Sequence, residues 1–600
     1  MREKGDFTAD LRLIWISTIA LFVGALCALV AVALMWSIGF FTNLLFYHEL
    51  SATFRSPADN QLGVGVVVVP VLGGLVIGLM ARFGSERIRG HGIPEALEAI
   101  LIGKSRMQPK IAILKPVSSA ISIGSGGPFG AEGPIIMTGG AFGSLIAQML
   151  RLSAVERKTL LVAGAAGGMS ATFASPIAAV LLAVELLLFE WKPRSVVPVA
   201  LSSAVAAAMR PYLIGAGPLF PVPAHPSVGV ASLLSAVVVG LAAGMLSAAL
   251  TAAVYGAEDA FLQLPIHWMW WPSIGGLVVG IGGLIQPHAL GVGYDTIAEL
   301  LRGEFAPKAL IALMLVKGSI WAIALGSGTS GGVLAPLLIM GGALGALEST
   351  ILPGGSKALW PLVSMAAVLG GTMRSPLTSV IFALELTHDI SSLLPLLIAS
   401  MIAYAFTVLV MKRSILTEKV ARRGYHLSRE YSVDPLELVM VKDVMSTDVV
   451  TIPLAMRVRD VLEKYFEDGN LRKHQGYPVV DERGDLAGIV TRSNLLDQSV
   501  SEALDVLSVV DILEREALTA SAEETCRSAA EKMLQSKVGR LPVVSLDDPK
   551  RLVGIVTPTD LLKPRALVVD EEQRRERFIG VSFLSRRRKV QEPAAVPVSR

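Results

Sequence analysis

The acidic residue Glu132 lies in the segment GSGGPFGAEGPIIMTGGAFG (residues 124–143), among glycines and apolar residues with no lysine or arginine within ten positions. The segment leads through Pro134 into an apolar run, the order of a loop that enters a helix. The first N–H groups of a helix lack intrahelical acceptors and carry partial positive charge, so they favour an anion. Glycines leave those N–H groups accessible. The pattern predicts anion binding, with the Glu132 carboxylate as a tethered competitor.

The same pattern recurs 202 positions later, in GSGTSGGVLAPLLIMGGALG (residues 326–345). A second pair of segments, SPIAAVLLAVEL from Ser175 and SPLTSVIFALEL from Ser375, follows in the same order at nearly the same offset. Two ordered matches predict that this region consists of two copies of one unit. Many transporters are built this way, with ion sites at the repeat interface near the bilayer midplane. Leu334 occupies the position of Glu132 in the second copy, so the copies are chemically unequal.

The composition predicts that these segments lie in a membrane. The chain has 600 residues, of which 52% are hydrophobic and 17% charged, and its mean hydropathy is +0.59; soluble domains carry about 25% charged residues. Five apolar runs reach or approach the ~20 residues that a membrane-spanning helix needs. They are residues 11–46, 64–80, 160–189, 228–254 and 393–411. The first run is too long for a signal peptide, so we expect it to be retained.

Charge and cysteine content exclude several function classes. The two cysteines, Cys27 and Cys526, predict no disulfide framework, metal cluster or redox chemistry. The net charge is only +3, and its basic excess flanks or follows the apolar region, which is typical of cytoplasmic flanks. These basic residues are Lys412, Arg413, Arg422, Arg423, Arg586, Arg587, Arg588 and Lys589. A nucleic-acid partner is not expected from so short a basic tail.

The composition changes near Leu427, where apolar spans give way to short β-branched runs between charged helices. The segment YPVVDERGDLAGIVTRSNLL is echoed by LPVVSLDDPKRLVGIVTPTDLL, which predicts two similar α/β modules in tandem. We therefore expect a polytopic all-α membrane domain at 1–430, with repeats at about 60–215 and 260–412. The modules are predicted at 437–500 and 505–567, and a flexible basic tail at 568–600.

Three motifs resemble those of the CLC family of chloride channels and proton-coupled chloride antiporters: GHGIPE from Gly90, GAEGP from Gly130 and GGVLAP from Gly331. The resemblance implies the CLC fold, with two inverted-topology repeats and broken helices. It also implies a homodimer in a lipid membrane, with a separate pore for chloride or other small anions in each subunit. Glu132 would be the gating glutamate. The implied anion-binding residues are His91, Gly92, Ile93, Gly130, Ala131, Gly133, Val333 and Leu334.

Several residues depart from the family pattern at positions that handle ions. His91 stands where many members carry a serine that donates to the anion; its imidazole could also donate, or it could face solvent at a helix end. Ala131 replaces the arginine beside the gating glutamate, which removes local positive charge. Leu416 stands where the family often has a tyrosine donor.

The family's second, proton-transferring glutamate falls on Leu186, with Glu185 just before it. Glu185 is a candidate for a proton path, but its repeat counterpart Glu385 favours a structural role at both positions. We therefore expect passive voltage- or pH-gated conduction ahead of H⁺/Cl⁻ exchange. Coupling through Glu132 and water alone is left open.

The two modules resemble a CBS pair, which implies an adenine-nucleotide site at Thr491, Asn494, Thr557 and Asp560. Asn494 replaces the acid in the first module, which weakens nucleotide binding there, and a purely structural pair is the alternative. The modules contain no P-loop, and the membrane region contains no HExxH motif, so an enzyme is not expected. A function of another class is a membrane-anchored nucleotide sensor. We expect a cell-membrane protein whose modules and tail are cytoplasmic.

Overall fold

The computed structural model describes residues 11–101, 105–223, 228–422, 436, 439–467, 474–495, 506–513 and 517–563. The chain divides into two compact units, residues 1–430 and 431–600. The predicted tail at 568–600 and the basic residue Arg423 lie outside the described residues.

The first half of unit 1 is built from eight helices among the described residues. They are α1 (Arg12–Thr42, continued by a π-helical turn at Asn43–Tyr47), α2 (Val68–Phe83), α3 (Ile93–Leu101), α4 (Pro109–Gly124), α5 (Glu132–Met149), α6 (Ala154–Phe173), α7 (Pro176–Leu182, continued by a π-helical segment at Ala183–Leu188) and α8 (Pro193–Leu213).

The second half repeats this order with one helix added. Its helices are α9 (Val230–Leu262), α10 (Trp271–Ile285), α11 (Tyr294–Arg302), α12 (Pro307–Gly326), α13 (Leu334–Glu348), α14 (Leu359–Met373), α15 (Pro376–Thr387), α16 (Leu393–Val410) and α17 (Ile415–Arg422). The packing repeats as well, because α1 contacts α4, α6 and α8 just as α9 contacts α12, α14 and α16. The structural copies therefore begin at α1 and α9, before the predicted limits of about 60 and 260.

Reciprocal contacts relate the two copies by an approximate two-fold axis. A Cβ added at Gly74 would lie 2.2 Å from the carbonyl oxygen of Pro272, and one added at Gly276 would lie 2.3 Å from that of Pro70. The pairs differ by 202 positions, so each copy presents the same contact to the other, which is the mark of a two-fold interface. These glycines let α2 and α10 pack backbone to backbone, as small residues do between helices in membranes.

Seven helices of the described chain are long and apolar enough to span a membrane: Arg12–Tyr47, Gly63–Phe83, Pro193–Leu213, Val230–Leu262, Trp268–Ile285, Pro307–Gly326 and Ile390–Arg422. Four of the five predicted runs overlap one of these helices over nearly their whole length. The prediction of one span at 160–189 is wrong, because α6 ends at Phe173 and α7 begins at Pro176. Ala174 adopts a left-handed φ of 53°, and Pro176 supplies no N–H to continue the helix.

Unit 2 contains two three-stranded sheets of the same topology within its described residues. The first has β1 (Ile452–Pro453), β2 (Gly476–Val480) and β3 (Leu486–Thr491), and the second has β4 (Ala520–Ser521), β5 (Leu541–Val544) and β6 (Leu552–Val556). In each sheet the middle strand is parallel to the first and antiparallel to the third. The helices are α18 (Val458–Val461), α19 (Arg492–Leu495), α20 (Val509–Ile512) and α21 (Cys526–Ser536). Both sheets break register at the equivalent point, Val479/Val480 and Val543/Val544, as tandem modules should.

Candidate anion site and its gate

Three loops meet at the N-termini of α3, α5 and α13. Gly130 and Gly332 exchange two backbone hydrogen bonds, from the Gly130 N–H at 3.3 Å and from the Gly332 N–H at 2.9 Å. On the other side, the Gly90 N–H donates to the carbonyl oxygen of Thr329 at 3.2 Å. Three helix N-termini therefore approach one place from different directions, and their partial positive charges add there.

Gly133 allows the loops to come together. A Cβ at this position would lie 1.9 Å from the carbonyl oxygen of His91 and 3.2 Å from the Cα of Gly332. Both neighbours are backbone atoms and cannot turn away, so only glycine fits. The GAEGP motif thus carries a packing requirement as well as the predicted gating acid.

Glu132 is completely buried at this meeting point. Its Oε2 atom lies where a Cβ of Gly130 would be, only 1.7 Å from that position, and 2.8 Å from the equivalent position at Gly332. The carboxylate is near the backbone amides of Glu132 and Ala335, although neither oxygen makes a hydrogen bond of ordinary geometry within the described part of the chain. The carboxylate therefore lies beside the start of α13, where the sequence predicts the anion.

The backbone amides of two predicted anion-binding residues are already hydrogen-bonded within the protein. The N–H of Gly92 donates to Oε2 of Glu95 at 2.8 Å, and the N–H of Gly130 donates to Gly332. Neither amide is available to a diffusing anion in this arrangement. The Gly92 amide is used by a local cap, since a glutamate at the third helical position commonly accepts from the residue before the helix. The Gly130 amide is used by the bridge that holds the two loops together.

The other predicted positions lie at the helix starts. All the others are buried: Ala131 and Gly133 flank Glu132 in the chain, Val333 and Leu334 lie at the start of α13, and Ile93 lies at the start of α3. Helix α13 begins at Leu334 and reaches Pro336 two residues later. The amides of 333 to 335 form its first turn, where intrahelical acceptors are lacking. They remain the predicted central donors.

Two cavities approach the gate from positions related by the repeat. The α3 cavity measures about 620 Å³ and is lined by residues that include His91, Glu95 and Tyr255. The α11 cavity measures about 430 Å³ and is lined by residues that include Tyr294 and Arg210. The segments GHGIPE and GVGYDT that line them differ by 201 positions. Glu132 lines neither cavity and is fully buried.

The departures at His91 and Leu416 have specific surroundings. His91 is 2% exposed and lines the α3 cavity, so its ring is not turned to bulk solvent. Leu416 is fully buried in α17. The hydroxyl of Tyr255, from α9, donates to the carbonyl oxygen of Ile415 next to Leu416. A tyrosine from another helix therefore reaches the segment in which the family's tyrosine is missing.

Two buried lysines were missed by the sequence analysis. Lys115 of α4 donates to the carbonyl oxygens of Ile88 and Gly90, both at 2.8 Å. Lys317 of α12 donates to those of Ala289 and Gly291, both at 2.9 Å. The lysines are 202 positions apart, so the repeat offset could have found them. Each one fixes the loop before α3 or α11.

Glu185 and Glu385 form a reciprocal pair of helix caps. The Glu185 carboxylate accepts from the N–H groups of Leu377 and Thr378, at 3.3 and 2.9 Å, at the start of α15. The Glu385 carboxylate accepts from those of Ile177 and Ala178, both at 2.8 Å, at the start of α7. This geometry favours the structural interpretation of both residues, because the dipole and the N–H groups hold each carboxylate in place. A proton path through Glu185 remains a prediction.

Matched variants separate the two interpretations. We expect Glu185→Gln and Glu385→Gln each to lower the free energy of unfolding by about 1–2 kcal/mol, since each loses a charge-assisted bond to a helix N-terminus. Proton movement, measured on reconstituted protein, should be the same in both variants as in the wild type. A loss of proton movement in Glu185→Gln alone would instead assign Glu185 to the proton path.

The predicted nucleotide residues of the second module contact each other. Oδ2 of Asp560 accepts from the N–H and the hydroxyl of Thr557, at 2.9 and 2.7 Å, and Oδ1 pairs with Nζ of Lys563 at 2.7 Å. Burial acts to raise the pKa of Asp560, but the Lys563 and Thr557 contacts outweigh it and hold the pKa below its usual range. In the first module, Asn494 accepts from the N–H of Thr491 at 3.0 Å, so the threonine is held in the same way.

We expect Asp560→Asn to destabilise the second module by about 1–2 kcal/mol at neutral pH, because a buried charged acceptor is lost. The folded pKa is depressed, so the stabilisation is present above the unfolded pKa and is lost as the pH falls through the folded value. Hydrogen exchange of residues 552–563 in the full chain, corrected for intrinsic rates, measures this. The difference between wild type and variant should shrink towards pH 3; a constant difference would contradict the assignment.

Comparison with known proteins now decides the family. The model of the voltage-gated chloride channel family matches residues 73–408, more than half of the chain. The chain belongs to the CLC family. The CBS domain model matches residues 441–501 and 509–567. The predicted fold class, an all-α CLC membrane domain with a tandem CBS pair, is confirmed, and CLC-type anion transport is the class of activity of this chain.

Individual relatives have low sequence identity to this chain, but the matched segment spans most of each relative's own length. A ClcB-like chloride channel protein of Ralstonia nicotianae is 29% identical over 59% of this chain and 85% of its own length. The H⁺/Cl⁻ exchange transporter ClcA of Vibrio campbellii is 28% identical over 58% of this chain and 77% of its own length. The crystal structure of a slow cyanobacterial Cl⁻/H⁺ antiporter shares the fold, with a TM-score of 0.62, 19% identity and coverage of 69% of this chain and 99% of its own.

Proposed function

We propose that this CLC protein carries chloride and other small anions across a cell membrane under the control of Glu132. The observation that supports this most strongly is the buried Glu132 carboxylate, which lies where the N-termini of α5 and α13 meet. Unpaired amides at helix starts deep in a protein-enclosed region are a favourable place for an anion. The carboxylate and the transported anion would occupy this place alternately.

Protonation of Glu132 is the event that would exchange them. A neutral carboxyl group loses its attraction to the α13 amides, and an anion from either cavity can replace it. Gly130 and Gly332 keep side chains out of the exchange space, and their mutual hydrogen bonds hold the loops while the gate moves. The first turn of α13 supplies donors at 333 to 335, and His91 supplies an imidazole at the end of the α3 cavity.

We favour H⁺/Cl⁻ exchange over passive conduction as the mode of transport. One relative is an H⁺/Cl⁻ exchange transporter. This weighs against the passive conduction predicted from Leu186 and Leu416. Passive conduction is the second candidate because Leu186 cannot carry a proton and Glu185 caps α15. Coupling would then require Glu132 and water alone.

Reconstituted protein in chloride-loaded liposomes tests both candidates. A chloride electrode and a pH electrode would record the two ions after an outward chloride gradient is established. Uphill proton movement driven by chloride supports exchange, and chloride efflux without it supports a passive pathway. A protein that moves neither chloride nor any of fluoride, nitrate and bromide would refute the proposed function. The same panel establishes the anion preference.

We further propose a homodimer whose CBS pair and basic tail face the cytoplasm, where the CBS pair responds to an adenine nucleotide. Basic residues beyond the last span support this orientation. In the second module, Asp560 already binds Thr557 and Lys563, so a ribose would have to displace these partners. Titration of the full chain with ATP, ADP and AMP tests the nucleotide. A sensor without transport is the competing function, and it leaves the duplicated helix starts unexplained.

A further inference from the structure

Arg89 lies in the α3 cavity just before the GHGIPE loop. Its guanidinium carbon is 4.6 Å from the ring centroid of Trp268 and 5.6 Å from that of Trp271. A Cβ added at Gly328 would lie 2.6 Å from Nη2 of Arg89, so the guanidinium also rests against the GSG loop of the second copy. Two aromatic rings and one pore loop therefore fix the position of this charge.

We propose that Arg89 is the anion-recruiting residue of the α3 cavity, where its guanidinium binds a hydrated monovalent anion before the ion passes His91. This inference rests on the proposed transport function. Arg89 and His91 line the same cavity and are two residues apart, so an anion held at Arg89 is close to the loop that leads to the gate. The planar guanidinium is weakly hydrated and suits an anion that must shed water.

The other charges of the cavity make Arg89 important. Lys419 pairs with Glu95 at 3.1 Å, and the side chain of Glu95 is only 5% exposed, so that positive charge is largely neutralised. Glu98 and Glu258 also line the cavity and repel anions. Arg89 itself pairs with Glu86 at 3.3 Å, and Glu86 also lines the cavity. Glu86 is 67% exposed, so solvent weakens this pair.

Arg89 also supplies a positive charge in a region where Ala131 lacks the family's charge. The sequence lacks the arginine that the family carries beside the gating acid, and Ala131 is fully buried. A fixed guanidinium in the α3 cavity restores a positive charge near the path at a different position. Because it acts on the approach of the anion, its main effect should be on the concentration dependence of transport and not on its maximum rate.

Arg87 provides a matched control, because it lines the same cavity and carries the same charge but is exposed. We would measure initial chloride flux against chloride concentration for the wild type, Arg89→Gln, Arg89→Lys and Arg87→Gln in liposomes. We expect Arg89→Gln to raise the half-saturating chloride concentration about threefold to tenfold, with a maximum rate within about twofold of wild type. Arg89→Lys should recover part of the loss, and Arg87→Gln should stay near wild type. Higher ionic strength should reduce the difference.

A second variant keeps the test decisive if Arg89→Gln does not fold. Trp268→Leu retains the charge and removes one ring that holds it, and we expect a smaller rise in half-saturation. Equal effects of Arg89→Gln and Arg87→Gln, or an unchanged half-saturation in Arg89→Gln, would overturn the role of Arg89 alone. If Arg89→Gln does not fold, an unchanged half-saturation in Trp268→Leu would overturn it. Absence of anion flux in the wild type would refute the proposed function and this inference together.

Discussion

Glu132→Gln should abolish most of the pH dependence of anion flux and all proton movement. Glutamine has nearly the shape of the protonated acid but cannot titrate, so the gate loses its charged state. The amides at the start of α13 then face no competing carboxylate, and the anion can enter at every pH. We expect flux to vary by less than about twofold between acidic and neutral pH in the variant, because the titrating group is gone. Flux recordings with a pH electrode at each pH measure both effects.

Glu348 provides the matched control for this experiment. Its carboxylate oxygens are also buried, but it is the last residue of α13, at the end of the helix opposite the one beside Glu132. Glu348→Gln should therefore keep the wild-type pH profile and proton movement. If Glu348→Gln flattened the profile and Glu132→Gln did not, control of the pathway would belong to the C-terminal end of α13.

The fold could be predicted well because the sequence repeat and the hydropathy pattern indicate the same helices. Glycine-rich loops followed by Pro134 and Pro336 mark the starts of α5 and α13, and both helices begin two residues before the proline. The break between α6 and α7 was missed because the run at 160–189 stays apolar across it. Only the backbone at Ala174 and the proline at 176 reveal that two helices meet there. Hydropathy measures partition into lipid and does not record such a turn.

The site was predicted unequally. The starts of α5 and α13 follow from local sequence, because a glycine-rich loop before a proline and an apolar run marks a helix start, where negative charge is favoured. The gating role of Glu132 stays a prediction. The cap of Glu95 on Gly92 was also readable, since the spacing is that of a capping glutamate. The position of Arg89 between Trp268 and Trp271 was not readable, because these residues are about 180 positions apart and no repeat relates them. Contacts formed only by tertiary packing leave no local pattern.

Gly130→Ala is the second variant with a large expected effect. The methyl group would lie 1.7 Å from Oε2, 2.4 Å from Cδ and 2.5 Å from Oε1 of Glu132, so it fills the space of the carboxylate. The side chain of Glu132 is flexible and can leave, so the protein should still fold. If the transported anion uses the same space, it is excluded too. Such overpacking costs ~1–3 kcal/mol, and we expect anion flux to fall by about tenfold or more.

Two further variants show whether this effect arises at the shared space. Glu132→Ala alone leaves the space open and should conduct, whereas Gly130→Ala combined with Glu132→Ala should stay slow, because the methyl group remains. Gly133→Ala should instead fail to accumulate as folded protein, since its Cβ meets the fixed carbonyl oxygen of His91 at 1.9 Å. Flux in liposomes and thermal unfolding in detergent distinguish these outcomes. A double variant as fast as Glu132→Ala would mean that the anion passes outside the space of the carboxylate, and the idea of one place shared by gate and ion would fail.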